Sequence, residues 1–271
     1  MKHELVTTDP GLPYKLNIIE GLGLEIPPHW HRSIEIDYTI HGQADYHVAG
    51  KTYTITDNEF IIVNSGQIHS VNNYKNISER KSIVLLIPIE VVENYNPQFL
   101  HHQFITSNCS QSALNSIKKE LYAIYEARNL PDNIRKLNQH GHVLTLLSLL
   151  FIYCLADTCN RDMHDIKLQE LSKKVLSYLS KYYERKLTLK SISDHFSFSA
   201  AYLSRVFKQQ TGTSIMQYLQ DIRLKYAYEQ IQGTDLSIKE IAKLVGFSDT
   251  RSLRNKFKKK YHITPNQLRK S

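Results

Sequence analysis

Cysteine is scarce in this chain. Cys109, Cys154 and Cys159 are the only three, no two of them form a CxxC pair, and an odd number cannot all pair. That excludes a disulfide scaffold and predicts reduced thiols in a core, in a reducing compartment. Long hydrophobic runs are also lacking. The longest, Val143 to Ala156, contains Ser148 and is too short to span a bilayer, so it reads as a buried helix. The opening residues Met1-Lys2-His3-Glu4 have no apolar stretch of the signal-peptide kind. These absences predict a soluble, cytoplasmic protein with no membrane partner. Trp30 is the only tryptophan, suited to stacking or to packing.

Acidic charge is thin in the C-terminal part. From Ile166 to Ser271 there are 21 Lys and Arg against 8 Asp and Glu, a net of +13, whereas Met1 to Asp165 carries 13 against 18, a net of −5. A length of 271 residues accommodates two domains, each with its own core. A basic module behind a mildly acidic one is the footprint of a polyanion bound by one domain only.

The two parts also differ in periodicity. Ile34, Ile36, Tyr38 and Ile40 alternate with Glu35, Asp37 and Thr39, the period of a strand. Further short strands are predicted at 46–48, 52–55, 60–63 and 83–87, so residues 14–90 read as a sandwich or small barrel. From about Ser110 the period is helical: Leu114, Ile117, Leu121 and Ile124 mark one helix. Ile134, Leu137, Val143, Leu144, Leu147 and Leu150 mark a second, from Asp132 to Ala156. These two helices either pack on the β-rich part or form a dimer seam. Polar residues 158–166 read as the linker, giving domains at 1–157 and 167–271.

The C-terminal part contains one motif twice. Leu189 to Phe196, the turn Ser197-Phe198-Ser199 and Tyr202-Leu203-Ser204-Arg205-Val206-Phe207-Lys208 form the first copy. Ile238 to Val245, the turn Gly246-Phe247-Ser248 and Ser252-Leu253-Arg254-Asn255-Lys256-Phe257-Lys258 form the second. Each is a short helix, a tight turn that sends a phenylalanine into the core, and a second helix with an outward basic face, the pattern of a helix-turn-helix. Ser237-x-x-Glu240 is a capping-box pattern. In the second helices, Leu203, Val206 and Phe207, and Leu253 and Phe257, face inward. That turns Ala201, Ser204, Arg205 and Lys208 outward in one copy, and Arg251, Arg254, Asn255 and Lys258 in the other. Arg suits guanine and Asn adenine, while Lys208, Lys256, Lys259 and Lys260 suit phosphates. A helix of about 18 residues from Ser214 to Ile231 joins the copies, a span of about 27 Å, near the helical repeat of DNA.

On these residues the stretch from Lys167 to Lys270 resembles the DNA-binding domain of the AraC/XylS transcription regulators. Tyr202 through Lys208 with Thr211-Gly212, Ile238 through Gly246-Phe247, Phe257-Lys258-Lys259 and Thr264-Pro265 carry the match. Leu253, His262 and Leu268 depart from the family's usual aromatic, glycine and tyrosine. The resemblance implies that Ala201, Ser204 and Arg205 of the first reader, and Thr250, Arg251, Arg254 and Asn255 of the second, face DNA bases. Upstream, His29-Trp30-His31 with Glu35 and Gly42, and Asn58 through His69, resemble the two motifs of cupin barrels. The implied fold is therefore α+β: a cupin-like β-barrel with flanking helices, then an all-α domain with two helix-turn-helix motifs joined by a long helix.

His29, His31 and Glu35 share parity and, on one continuous strand, would project from one face. With Asn64 and His69 they form a polar pocket suited to a hydroxylated ligand such as a sugar. In metal-bearing cupins the positions of His29, His31, Glu35 and His69 hold a divalent ion, of which Fe, Mn, Ni or Zn would suit these donors. Regulators of the family usually need no metal, and none is expected here. The resemblance implies a non-enzymatic activator that binds double-stranded DNA and a small-molecule effector, dimerises and recruits RNA polymerase. Its rivals are a metal-dependent cupin enzyme with a DNA-binding tail and a constitutive DNA-binding protein. The arm from Met1 to Leu16 would close over the pocket.

Overall fold

The computed structural model describes residues 7–21, 25–72, 80–158 and 163–270. Two compact units divide between Gln169 and Glu170. The first holds β1 (Lys15–Gly21), β2 (Ile26–His29), β3 (Ser33–His41), β4 (Ala44–Val48), β5 (Lys51–Ile55), β6 (Glu59–Val63), β7 (His69–Asn72) and β8 (Arg80–Pro88). It continues with α1 (Ile89–Glu93), β9 (His102–Phe104), α2 (Gln111–Glu126), α3 (Asp132–Tyr153) and β10 (Leu155–Asp157). The eight leading strands form two four-stranded sheets, ordered β1-β8-β3-β6 and β2-β7-β4-β5. Among the described residues no pairing joins the sheets into a closed barrel.

The sheet that contains β3 is covered on both sides. On one face Ile34, Ile36, Tyr38, Ile83, Leu85 and Ile87 pack with Ile117, Leu121 and Ile124 of α2 and with Val143, Leu146, Leu147 and Leu150 of α3. On the other, Ile61 and Val63 of β6 pack with Ala44, Tyr46, Val48, Ile55 and Val71 of the second sheet. The alternation in β3 therefore separates two interiors and not core from solvent. Ile34, Ile36 and Tyr38 face the helices, while Glu35, Asp37 and Thr39 are equally buried on the opposite side.

Helix α3 is shorter than its apolar run. It stops at Tyr153, and Leu155–Asp157 pairs antiparallel with β9. The Ile105 N–H donates to the Cys154 carbonyl at 2.8 Å, so the backbone leaving the helix finds new partners at once. Cys154 is buried with its Sγ 3.2 Å from that of Cys109, and both thiols are free. Burial, followed by the Cys109 contact, pushes the Cys154 thiol up to about 12. Ile134, Leu137 and Leu144, expected on the apolar side of α3, are exposed, as is Ile152.

Helix α4 (Met163–Tyr182) begins inside the expected linker and runs across the division into the second unit; residues 159–162 and Cys159, like Met1–Val6 of the expected arm, lie outside the described residues. Then follow α5 (Leu189–His195), α6 (Ala200–Thr211), α7 (Ile215–Gly233), α8 (Ile238–Leu244), α9 (Thr250–Tyr261) and α10 (Pro265–Lys270). Hydroxyls and one carboxylate start these helices. Thr188 and Ser191 form a capping box on α5, and Ser237 and Glu240 form another on α8. Ser199, Ser214 and Asp249 each accept a backbone N–H at the start of α6, α7 and α9. The joining helix, expected to end at Ile231, runs on to Gly233.

No helix among the described residues is long and apolar enough to cross a membrane.

Candidate DNA-reading surface and histidine cluster

The two copies of the repeat match in backbone as well as in sequence. In each, the turn after the short helix has one residue at positive φ: Ser197 at 58° and Gly246 at 83°. In each, the second helix ends on another, Gly212 at 74° and His262 at 60°. His262 is where the AraC/XylS resemblance has glycine, and it accepts the same left-handed conformation. The other two departures, Leu253 and Leu268, are both buried packing positions.

Packing fixes which faces of α6 and α9 remain open. Leu203, Val206 and Phe207, and Leu253 and Phe257, are buried. Ala201, Arg205 and Lys208 are exposed and Ser204 half-buried on α6; Arg251, Arg254, Asn255 and Lys258 are exposed and Thr250 half-buried on α9. The guanidinium of Arg205 lies 5.6 Å from the centroid of the Tyr202 ring. Of the four lysines expected at phosphates, Lys208 and Lys259 are exposed. The other two point back to α7, Lys256 donating to the Gln220 side-chain oxygen and Lys260 pairing with Asp221. They tie α9 to α7. Phe198 was expected in the core, yet it is 41% exposed and stacks on Tyr202. The equivalent Phe247 packs against the core of the second copy.

In the first unit, His29, His31, Glu35 and His69 come together, their ligand atoms all within 4.8 Å of one another. They do not share one strand. His29 ends β2 and His69 begins β7 in one sheet, whereas Glu35 is on β3 in the other. The chain crosses between sheets at residues 30–32, where Trp30 is half-buried, and the crossing unites the cluster in place of parity. His31 and His69 are 1% exposed and Glu35 5%, with His29 the least enclosed. His31 Nε2 lies 2.8 Å and His69 Nε2 3.4 Å from the same Glu35 oxygen. Burial raises the Glu35 carboxyl, but the charge of His69 and hydrogen bonds from His31 and His69 outweigh it and hold the group well below the usual range. Burial, then His69, lowers the His29 imidazole to about 3.

Asn64 does not contribute to this cluster. Its side-chain N–H donates to the Phe104 carbonyl at 2.9 Å and its oxygen accepts the Phe104 N–H at 2.8 Å. That amide is occupied in holding β9. The same interior also contains a group the sequence did not single out. Arg80 is 3% exposed, donates to the Tyr46 hydroxyl at 2.8 Å and lies 3.6 Å from Asp37, which accepts from Tyr46. Burial, against Arg80 and Tyr46, raises the Asp37 carboxyl to about 7. The available signal was an arginine at the head of the strand Arg80–Pro88, just ahead of the apolar run from Ile83 to Ile87.

Two family models match the chain: AraC-like ligand binding domain over residues 22–147 and Helix-turn-helix domain over residues 192–271. The chain belongs to the AraC family of transcription regulators. It is a ligand-responsive, DNA-binding regulator with α+β architecture. Among relatives of this AraC-family chain, the HTH-type transcriptional activator RhaS of Citrobacter koseri is 26% identical over 90% of this chain and 87% of its own length. The uncharacterized HTH-type transcriptional regulator YdeC of Bacillus subtilis is 22% identical over 95% and 90%. A solved structure, the C-terminal domain of AraT, a response regulator from Geobacillus stearothermophilus, is 34% identical. It covers 38% of this chain and 87% of that one, with a TM-score of 0.37. Both full-length relatives are named as transcriptional regulators.

Proposed function

We propose that this regulator is a cytoplasmic homodimer that activates transcription by recruiting RNA polymerase, with no catalytic role of its own, and that its small polar effector binds at His29, His31, Glu35 and His69. The observation that carries the DNA-binding half is the pair of open faces on α6 and α9, one with Arg205 and Lys208, the other with Arg251, Arg254, Asn255 and Lys258. The second face is richer in base-reading side chains. The two half-sites therefore differ in sequence and most of the discrimination lies under α9. Activation is supported by the relatives named as activators.

Footprinting on genomic fragments tests the DNA half, with protection of two neighbouring major grooves per subunit as the expected result. Arg254→Ala lowers affinity for the cognate site by roughly 5–150-fold, about 1–3 kcal/mol, and leaves non-specific binding nearly unchanged. An equal loss on every sequence would make Arg254 a phosphate contact.

Dimerisation is supported by α3. Its inner face fills the core, yet Ile134, Leu137, Leu144 and Ile152 stand exposed, Leu137 at 74%. An apolar row of this kind gains by covering itself with its copy. Sedimentation of Leu137→Asp is expected to give a folded monomer; an unchanged dimer would remove α3 from the interface.

A further inference from the structure

The turn of the first helix-turn-helix carries an aromatic side chain that the fold leaves uncovered. Phe247 in the second copy packs against the core, but its counterpart Phe198 is 41% exposed. The Phe198 ring is held on the surface by a neighbour: it stacks on Tyr202, with centroids 5.1 Å apart and planes 25° from parallel. Tyr202 in turn lies under Arg205, whose guanidinium is 5.6 Å from the ring centroid. Phe198 directly precedes Ser199, the cap of α6, and Tyr202 is the third residue of that helix. Tyr202 and Arg205, three apart, are neighbours on the helix surface. The three side chains therefore form a continuous row from the turn to the open face of α6. A single exposed phenylalanine is ordinary on a protein surface. This one stands at the N-terminal end of a second helix, the part of a helix-turn-helix that enters the major groove.

We propose that Phe198 is a specificity-determining residue of the first reader and takes the C5-methyl group of a thymine in the half-site under α6. The proposal rests on the reading that the open face of α6 lies in the major groove. A phenylalanine ring has no hydrogen-bond donor or acceptor. Every feature that a base pair presents in the major groove is a donor or an acceptor, except the thymine methyl. That methyl is the one group there that such a ring can read. The rest of the face makes the contact matter. Of its outward residues Ala201, Ser204, Arg205 and Lys208, Arg205 is the one best suited to a bidentate contact with a base, whereas α9 presents Arg251, Arg254 and Asn255. With little polar readout, the first reader gains sequence preference by closing apolar surface over a methyl. Tyr202 is a positioning residue. It braces Phe198 by stacking and Arg205 by its ring face, so the methyl and the base taken by Arg205 lie within roughly three base-pair steps of each other.

The test uses the full chain and a genomic fragment located by footprinting. Each thymine of the protected grooves is replaced in turn by deoxyuridine, which lacks only the C5-methyl, and affinity is read by mobility shift. At one thymine the wild type is expected to lose roughly 4-fold, the worth of about one buried methyl group. Phe198→Ala binds the unmodified fragment less tightly by at least that factor, is indifferent to deoxyuridine at that position and responds as the wild type does at every other. Phe198→Leu, which keeps an apolar side chain, retains part of the response. Thermal melts of both variants stay close to the wild type, because the ring is outside the core. Equal deoxyuridine responses in Phe198→Ala and the wild type at every thymine overturn the proposal. So does a loss in Phe198→Ala that is the same on specific and non-specific DNA, which would put the ring against the sugar-phosphate backbone. If two grooves are protected in either of those cases, α6 still reads DNA and only the role of Phe198 falls. If a single groove is protected, the reading of α6 fails and the proposal with it.

Discussion

Gly246→Ala lowers the melting temperature of the C-terminal unit by about 15 °C or more and abolishes DNA binding. Two costs combine. The residue sits at φ +83°, a conformation that costs a non-glycine residue about 1–3 kcal/mol. A Cβ there would also stand 2.7 Å from the Glu184 carbonyl oxygen and 2.8 Å from that of Tyr183. Neither carbonyl retreats easily, because Arg223 of α7 donates to the Tyr183 oxygen at 2.8 Å and to the neighbouring Arg185 oxygen at 2.7 Å. Overpacking of this sort adds about 1–3 kcal/mol, so the whole penalty is about 4 kcal/mol. Ser197 provides the control: it occupies the equivalent turn at φ +58°, and Ser197→Gly is neutral or stabilising. Thermal melts of the two variants decide the matter, and a Gly246→Ala protein that melts with the wild type would show that the turn has room to yield.

The second large effect is at Arg80. Its guanidinium is enclosed between the sheets beside Asp37 and Tyr46. Arg80→Ala removes one member of a buried pair and leaves the Asp37 carboxyl with its desolvation uncompensated, a loss of about 3–5 kcal/mol. Asp37→Asn in the same chain removes the orphaned charge and restores a large part of that loss. Denaturant unfolding of both single variants and the double gives the coupling directly. Strict additivity would mean that the two groups stabilise the sheets independently.

Much of the C-terminal unit was legible because its signals are local. Capping residues, an i, i+3, i+4 stripe and a turn lie within twenty residues of one another; α5 and α8 appear within a residue of where periodicity puts them, and α6 and α9 contain the expected stretches and extend two residues before and three beyond them. Phe198 shows the limit: its sequence position matches that of Phe247, but only tertiary packing decides that one is covered and the other open. The N-terminal unit was less legible because its decisive contacts are distant in sequence. Asn64 reads as a partner of the histidines, but Phe104, forty residues later, takes both ends of its amide. The histidine cluster was found by composition and resemblance, while the geometric argument for it, one strand and one parity, does not hold, since β2 and β3 belong to different sheets. The alternation in β3 marks a strand, but a period of two does not distinguish solvent from a second, polar interior, which is where Glu35, Asp37 and Thr39 lie.

That doubly covered strand acts as a lever with a hand on each end. Glu35 belongs to the histidine cluster on one side of β3, and Ile34 and Ile36, its immediate neighbours, are wedged against α2 and α3 on the other. A strand buried on both faces has no slack to absorb a pull. Whatever tightens around Glu35 is transmitted within one residue to the seat of α3, the helix whose outer row is left uncovered.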